Sequence, residues 1–167
     1  MSARLWRGLA LLLFTISVAT PLAAQDIKPF DAGSLEKIVA AHKARPFVFT
    51  LWSLTCPHCQ DELALLGEVF SGKPACDLVL VSTDTPEETA AIAATLARHR
   101  LESAEARVFA DPFTERLRYA IDRKWQGELP RTYLYGADGS IQAVSGKLSP
   151  PQLRQWIARQ TTTANRP

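Results

Sequence analysis

Two cysteines separated by two residues are the part of the sequence best suited to chemistry. Cys56, Pro57, His58 and Cys59 stand where a β-branched and aromatic run ending at Trp52 gives way to a helical pattern. A thiol at such a strand-to-helix junction lies over the positive end of the helix dipole, which favours the thiolate that attacks disulfides. The spacing lets the second thiol close back on the first. The pattern therefore predicts a dithiol redox site.

The first 24 residues have the layout of a secretory signal peptide. Arg4 and Arg7 give a basic start, an apolar run covers residues 8–18, and the small residues Ala23 and Ala24 follow. We expect cleavage after Ala24. The apolar run is shorter than the roughly 20 residues that a membrane helix needs. We therefore predict export to the periplasm, with an uncleaved N-terminal membrane anchor as the alternative.

The charge balance beyond residue 24 narrows the class of partner. The first 24 residues contain Arg4 and Arg7 and no acid, so the rest of the chain carries 17 basic and 17 acidic residues. A formally neutral protein has no electrostatic attraction for nucleic acid or for an anionic membrane surface. We predict that nucleic acid is not a partner.

The cysteine count favours chemistry over stapling. Cys56 and Cys59 form one pair and Cys76 is left over. One pair is too few to hold together a disulfide-stapled fold, and the chain is long enough to have a core without it. A lone cysteine near a strand start is expected to be a small buried hydrophobe. An intermolecular disulfide or a third redox-active thiol is the alternative for Cys76.

Helical and strand patterns alternate along the chain. Residues 25–33 are predicted as an irregular lead-in and residues 161–167 as a flexible tail. The predicted helices begin at Ser34, after Cys56, at Thr85, at Asp111 and at Ser149, and the predicted strands cover 46–52, 77–82, 107–110, 131–135 and 140–145. Strands that alternate with helices give a parallel sheet, and the last two strands, separated by a glycine-flanked link, give an antiparallel hairpin. One α/β domain over residues 25–160 follows.

These features resemble the thioredoxin superfamily and, within it, the exported TlpA/ResA-like thiol-disulfide oxidoreductases. The resemblance is carried by the unit from Trp52 to Cys59, Glu62, the extra β-α segment 77–100, and Leu129-Pro130 with the strand and Asp-Gly turn that follow. It implies a thioredoxin-like three-layer α/β/α fold, with a central mixed sheet, a C-terminal β-hairpin and a helix. It also implies a cofactor-free, monomeric enzyme that acts on protein thiols and disulfides, as in cytochrome c maturation. An upstream, membrane-bound redox partner is expected to restore its oxidation state.

The resemblance assigns roles to single residues. Cys56 is the attacking thiolate and Cys59 the resolving thiol. Glu62, one helical turn past Cys59, resembles a glutamate that shuttles the resolving thiol's proton, with a solvated first-turn acid as the alternative. Trp52 resembles the tryptophan beside the cysteines, or packs in the core, or does both.

Pro130 resembles the family's cis-proline, which faces the cysteine pair. Leu129 would then present its backbone N–H and C=O to a bound peptide, whereas a trans proline starting an edge strand is the alternative. Pro57 and His58 are expected to tune the redox pair, because an imidazolium stabilises the thiolate and makes the disulfide a stronger oxidant. The Pro-His dipeptide resembles DsbA-type oxidases, while the scaffold resembles reductases, so the direction of exchange stays open.

Three positions depart from the family pattern. Thr55 precedes the first cysteine where tryptophan is common, and Ala64 replaces a proline that kinks the active-site helix. Thr50 stands where cytoplasmic thioredoxins carry a buried aspartate. With no acid at that position, proton transfer must rely on Glu62, His58 or water.

A binding module is the alternative function. Two thiolates and His58 suit Cu(I) or another soft metal. However, the copper-carrying relatives use Cys-x-x-x-Cys with a distant histidine, and a zinc site needs more ligands than this cluster supplies. We therefore predict no metal and no other cofactor.

Overall fold

The computed structural model describes residues 25–164 of the 167-residue chain, with side chains to Gln160. The segment predicted as a signal peptide, residues 1–24, lies outside the described residues. The strands are β1 (Ile27–Phe30), β2 (Phe47–Trp52), β3 (Asp77–Ser82), β4 (Glu105–Phe109), β5 (Arg131–Tyr135) and β6 (Ile141–Ser145). The α-helices are α1 (Ser34–Ala41), α2 (Pro57–Ser71), α3 (Thr89–Arg98), α4 (Thr114–Ile121) and α5 (Pro150–Ala164), and a 3-10 turn, Pro86–Glu88, precedes α3.

The strands form one mixed sheet in the order β1-β4-β3-β2-β5-β6. Strands β1, β4, β3 and β2 pair in parallel, and β5 runs antiparallel to β2 and to β6. Leu51 near the end of β2 pairs with Arg131 at the start of β5. Because β5 is antiparallel to β2, the residues just before β5 lie at the same end of the strands as the residues just after β2.

The core has two layers, one on each face of the sheet. Side chains alternate along a strand, so Val48 and Trp52 face one side and Phe49 and Leu51 the other. The first side packs against α2, α3 and α5, and the second against α1 and α4. The predicted three-layer α/β/α class, with a mixed sheet, a C-terminal hairpin and a helix, is confirmed.

Several local predictions differ from the structure. Helix α4 begins at Thr114 rather than at Asp111, and β4 covers Glu105–Phe109 rather than 107–110. Residues 25–33 are not wholly irregular, because β1 pairs with β4 at the sheet edge, where Pro29 is tolerated. Ser34 is the first residue of α1 rather than its cap, and its hydroxyl accepts from the Asp31 N–H at 2.9 Å. Helix α5 passes the predicted boundary at residue 160 and ends at Ala164. The remainder of the predicted tail, 165–167, lies outside the described residues.

Among the helices within residues 25–164, none is both long and apolar enough to span a membrane.

Candidate active site

The two cysteines lie at the amino end of α2, just past the carboxyl end of β2. Pro57 is the first helical residue, and a residue that precedes proline avoids the helical region, so Cys56 is extended and caps the helix. The Cys59 N–H donates to Cys56 Sγ at 3.1 Å. A disulfide joins the pair, whose Cα atoms are 5.2 Å apart. The first sulfur is thus held over the free amides of the helix.

The two sulfurs differ in how far solvent reaches them. Cys56 is partly exposed, whereas Cys59 is fully buried in the core layer that also contains Trp52 and Leu63. An external disulfide can therefore approach Cys56 but not Cys59. This asymmetry suits an attacking thiol followed by a resolving thiol.

Glu62, three residues after Cys59 on α2, is a buried carboxylic acid. Its side chain is 1% exposed, so the alternative of a solvated first-turn acid is wrong. One carboxylate oxygen accepts from the Leu148 N–H at 2.8 Å and the other from Thr132 Oγ1 at 3.2 Å. Burial raises the pKa of Glu62 above its ordinary value, and these hydrogen bonds oppose the rise. A raised pKa makes the carboxylate a better proton acceptor.

A second hydroxyl extends this hydrogen-bonded group into the sheet. Thr50 and Thr132 are paired across β2 and β5, both are fully buried, and their Oγ1 atoms are 3.1 Å apart. Thr132 has a single hydroxyl proton, which it donates to Glu62, so Thr50 donates to Thr132. Thr50 thus connects through Thr132 to the acid on α2. Sequence reasoning missed Thr132 and Leu148.

Pro57 and His58 lie on the exposed surface of the site. Within residues 25–160, His58 forms no hydrogen bond and no ion pair. Thr55, immediately before Cys56, is also exposed, and its Oγ1 lies 3.2 Å from Ser53 Oγ. The His58 imidazole is thus surrounded by solvent, which weakens its electrostatic effect on the sulfurs.

Leu129 and Pro130 lie at the same end of the strands as the cysteines, as the β2–β5 register requires. The peptide bond between them is cis. Pro130 is buried and Leu129 partly buried, and no other described residue hydrogen-bonds to the Leu129 N–H or C=O. These two backbone groups are free to pair with another chain.

Polar contacts around Arg131 hold this loop in place. Arg131 donates to Asp122 at 2.8 Å and also contacts Glu128 and Ser145. The Trp125 indole N–H donates to the Glu128 carbonyl at 2.8 Å. The segment that presents Leu129 is therefore fixed from both sides.

Trp52 packs inside the core layer that contains Cys59 and is fully buried. Its indole N–H has no hydrogen-bond partner among the described residues. Of the two roles expected of Trp52, core packing is therefore observed, and a role beside the cysteine pair stays a prediction.

Cys76 lies away from the redox pair. It precedes β3, so it lies at the end of the parallel strands opposite the end where Cys56 follows β2. It is a free, partly buried thiol. Burial, together with the charge of Asp77, raises the pKa of Cys76 to about 12. The thiol is therefore protonated at neutral pH, as suits a small hydrophobe.

Asp84 is a site residue that sequence reasoning missed. It follows β3, and its carboxylate accepts hydrogen bonds from the Ser53 hydroxyl and the Leu54 N–H, both at 2.9 Å, and from the Ser82 hydroxyl. Ser53 and Leu54 belong to the junction that leads into Cys56. The sequence gives no signal for this contact except an acid after a predicted strand.

The described residues contain no group of three or more His, Cys, Asp or Glu side chains that could hold a metal ion. His58 is exposed and its two neighbouring sulfurs are bonded to each other. No observation therefore favours the metal-carrier alternative.

No protein-family model and no curated protein matches this chain. Solved structures do match. A secreted Mycobacterium tuberculosis disulfide oxidoreductase homologous to E. coli DsbE is 23% identical, with a TM-score of 0.56 over 72% of this chain and 85% of that chain. A thiol:disulfide interchange protein of the thioredoxin family from Chlorobium tepidum is 15% identical, with a TM-score of 0.58 over 73% and 83%. StoA from Bacillus subtilis is 20% identical, with a TM-score of 0.51 over 68% and 83%.

The fold is therefore thioredoxin-like. The first two of these structures carry thiol-disulfide names, and this chain has a cysteine pair at the first turn of α2.

Proposed function

We propose that this protein is an exported thiol-disulfide oxidoreductase that exchanges disulfides with protein substrates through Cys56 and Cys59. The observation that carries the proposal is the disulfide at the amino end of α2, with one sulfur accessible and the other buried. Thiol-disulfide exchange needs one thiol that is accessible to the substrate disulfide and a second thiol that then attacks the mixed disulfide.

In the reducing direction, the Cys56 thiolate attacks one sulfur of a substrate disulfide. That S–S bond breaks, a mixed disulfide forms, and the released substrate sulfur takes up a proton. Cys59 then loses its proton and attacks Cys56 Sγ, which releases the second substrate sulfur as a thiol. Two electrons pass to the substrate and the Cys56–Cys59 disulfide forms. The reverse sequence oxidises a substrate dithiol.

Glu62 is the proposed acceptor of the Cys59 proton. It lies one helical turn past Cys59 on the same helix, and both side chains are buried. Burial raises the pKa of Glu62, which makes its carboxylate a stronger base towards the Cys59 proton, as general acid–base catalysis requires. The Thr50–Thr132 pair orients the carboxylate that receives the proton.

The substrate chain is proposed to lie along Leu129 and Pro130. The free N–H and C=O of Leu129 would pair with an extended substrate backbone, a form of strand addition. Trp52, Pro57 and His58 complete the surroundings of the pair and adjust its potential.

We further place the protein in the TlpA/ResA-like group, on the resemblance carried by Glu62 and the inserted β-α segment. We propose a monomer in the periplasm, exported by a cleaved signal peptide. An upstream, membrane-bound redox partner would restore its oxidation state, and cytochrome c maturation is one process that uses such a reductant. Sedimentation of the purified protein tests the monomer, and N-terminal sequencing of the exported protein tests cleavage.

Cys59→Ser is the central test of the exchange mechanism. This variant keeps the attacking thiol and lacks the resolving one, so it should accumulate a mixed disulfide with a protein substrate that dithiothreitol releases. Cys56→Ser is the matched control and should trap nothing. If Cys59→Ser traps no partner while its Cys56 reacts readily with a small alkylating agent, the proposed function is wrong.

The direction of exchange needs a separate measurement. Equilibration of the Cys56–Cys59 pair with a glutathione buffer gives its reduction potential. A potential near that of thioredoxin, about −270 mV, identifies a reductant, whereas one near that of DsbA, about −120 mV, identifies an oxidant.

A further inference from the structure

Asp84 joins the end of β3 to the junction that precedes Cys56. Its carboxylate accepts from Ser53 Oγ and from the Leu54 N–H, residues about thirty positions earlier in the chain. Its own N–H donates to Ser82 Oγ at 3.0 Å, and the Ser82 hydroxyl donates back to the carboxylate. Each polar group of this small cluster is therefore satisfied within it.

The contacts continue directly to the attacking cysteine. The Ser53 hydroxyl, held by Asp84, accepts from the Thr55 N–H at 3.3 Å. The Ser53 carbonyl accepts from the Cys56 N–H at 3.3 Å. A restraint on Ser53 is thus a restraint on the backbone of Cys56.

The donors around Asp84 are all neutral. No lysine, arginine or histidine of the described residues forms an ion pair with it, so the carboxylate is bound only by hydroxyl and amide groups. Hydrogen bonds to a charged acceptor are stronger and more directional than neutral ones. The cluster is therefore suited to fixing a position.

We propose that Asp84 is a positioning residue that holds Cys56 at the amino end of α2 when the Cys56–Cys59 bond is open. This inference rests on the proposed function. In the oxidised protein the disulfide itself ties Cys56 to Cys59. In the dithiol form that tie is absent, and the Asp84 contacts keep the Cys56 sulfur over the helix amides that stabilise its thiolate.

The consequence is a selective effect on the reduced form. Reduction adds two electrons to the disulfide and leaves a Cys56 thiolate and a Cys59 thiol, with one proton taken up. Loss of the Asp84 carboxylate destabilises this product more than it destabilises the disulfide. The couple should then become harder to reduce, and the pKa of the Cys56 thiol should rise.

The test compares Asp84→Ala with Asp84→Asn in the purified protein. For Asp84→Ala we expect an equilibrium constant for reduction by glutathione that is about tenfold lower, equivalent to about 30 mV. The rate of Cys56 alkylation against pH should give a raised thiol pKa. Asp84→Asn keeps an acceptor for the Leu54 N–H and an amide that can bond Ser53 Oγ, so it should recover most of both values.

Two further variants serve as controls. Ser53→Ala removes one Asp84 contact and should give an intermediate shift, and it replaces Asp84→Ala if that variant does not fold. Asp111 follows the neighbouring strand β4, and its carboxylate accepts from the Phe113 N–H, with no contact to the junction. Asp111→Ala should leave the glutathione equilibrium within about twofold of the parent.

The inference is overturned if Asp84→Ala and Ser53→Ala both lower the stability of the oxidised and reduced forms equally and leave the equilibrium with glutathione unchanged. That result would assign Asp84 a purely structural role. It differs from failure of the proposed function, in which the parent protein itself would not exchange with glutathione and Cys59→Ser would trap no substrate.

Discussion

Replacing Thr132 by valine tests how the buried acid behind the cysteine pair is held. Valine has nearly the shape of threonine, so the change removes one hydroxyl and little else. That hydroxyl donates to Glu62 Oε1 at 3.2 Å and lies 3.1 Å from Thr50 Oγ1. The variant therefore leaves the carboxylate with only the Leu148 N–H as a donor and leaves the Thr50 hydroxyl without its partner.

The size of the loss depends on the charge of Glu62. A hydrogen bond to a charged group is worth about 1.5–3 kcal/mol, and a neutral one about 0.5–1.5 kcal/mol. We therefore expect Thr132→Val to lower the free energy of unfolding by about 1 kcal/mol where Glu62 is protonated. Where Glu62 is ionised, the loss should reach about 2–3 kcal/mol.

The direction of the pH dependence follows from linkage. Burial already holds the pKa of Glu62 above its ordinary value, and the Thr132 hydrogen bond opposes that rise. The variant therefore raises the folded-state pKa further. A carboxyl group with a raised folded pKa contributes stability below its unfolded pKa, and this is lost as pH increases through the folded pKa. The difference between parent and variant should therefore grow with pH.

Urea unfolding of the oxidised protein between about pH 5 and pH 8.5 measures this difference. Thr95→Val is the matched control, because Thr95 is also buried and its hydroxyl bonds to the Arg98 guanidinium rather than to a carboxyl group. Its stability loss should be constant with pH. A constant loss for Thr132→Val as well would refute the role given to Thr132 in holding an ionisable Glu62.

Two other predictions concern residues away from the acid. Cys76 should resist iodoacetamide at pH 8 in the folded, reduced protein while Cys56 reacts, because the pKa of Cys76 is raised to about 12. Cys76→Ala should leave the glutathione equilibrium unchanged. Rapid labelling of Cys76 would contradict this prediction. Leu66→Ala should lower the free energy of unfolding in urea by about 2–5 kcal/mol, because Leu66 is fully buried. Ile141→Ala, on the exposed side of β6, should lower it by less than about 1 kcal/mol. Equal losses would count against the two-layer core.

The elements that the sequence predicted well are those with a strong local signal. Strand β3 has the predicted bounds, and β2 differs by one residue, because both are continuous apolar runs buried on both faces. The start of α2 follows from Pro57 at the first helical position. The spacing of Cys56 and Cys59 and their position at this junction were enough to predict the cysteine pair. Strand β1 was missed because only Phe30 of its four residues is buried.

The environment of the site could not be predicted in the same way, because its contacts join distant parts of the chain. Glu62 looks like a solvated helix acid when the local sequence is considered alone, and its hydrogen-bond partners are Thr132 and Leu148, which follow 70 and 86 residues later. Asp84 looks like a loop acid until β3 lies beside β2 and brings it to Ser53. Each is a polar group whose partner is decided by the strand order.

The proposed roles of the two acids concern different members of the cysteine pair. Asp84 contacts the junction that carries Cys56, while Glu62 lies on the buried side of α2 with Cys59. Their hydrogen-bonded groups share no residue, so their effects should be independent. We propose that Asp84 sets the position of the attacking sulfur. Glu62 is the proposed acceptor of the resolving thiol's proton. With threonine at position 50, the protein thus still has a buried acid on the helix that carries Cys59, because α2 supplies that acid and Thr132 on β5 donates a hydrogen bond to it.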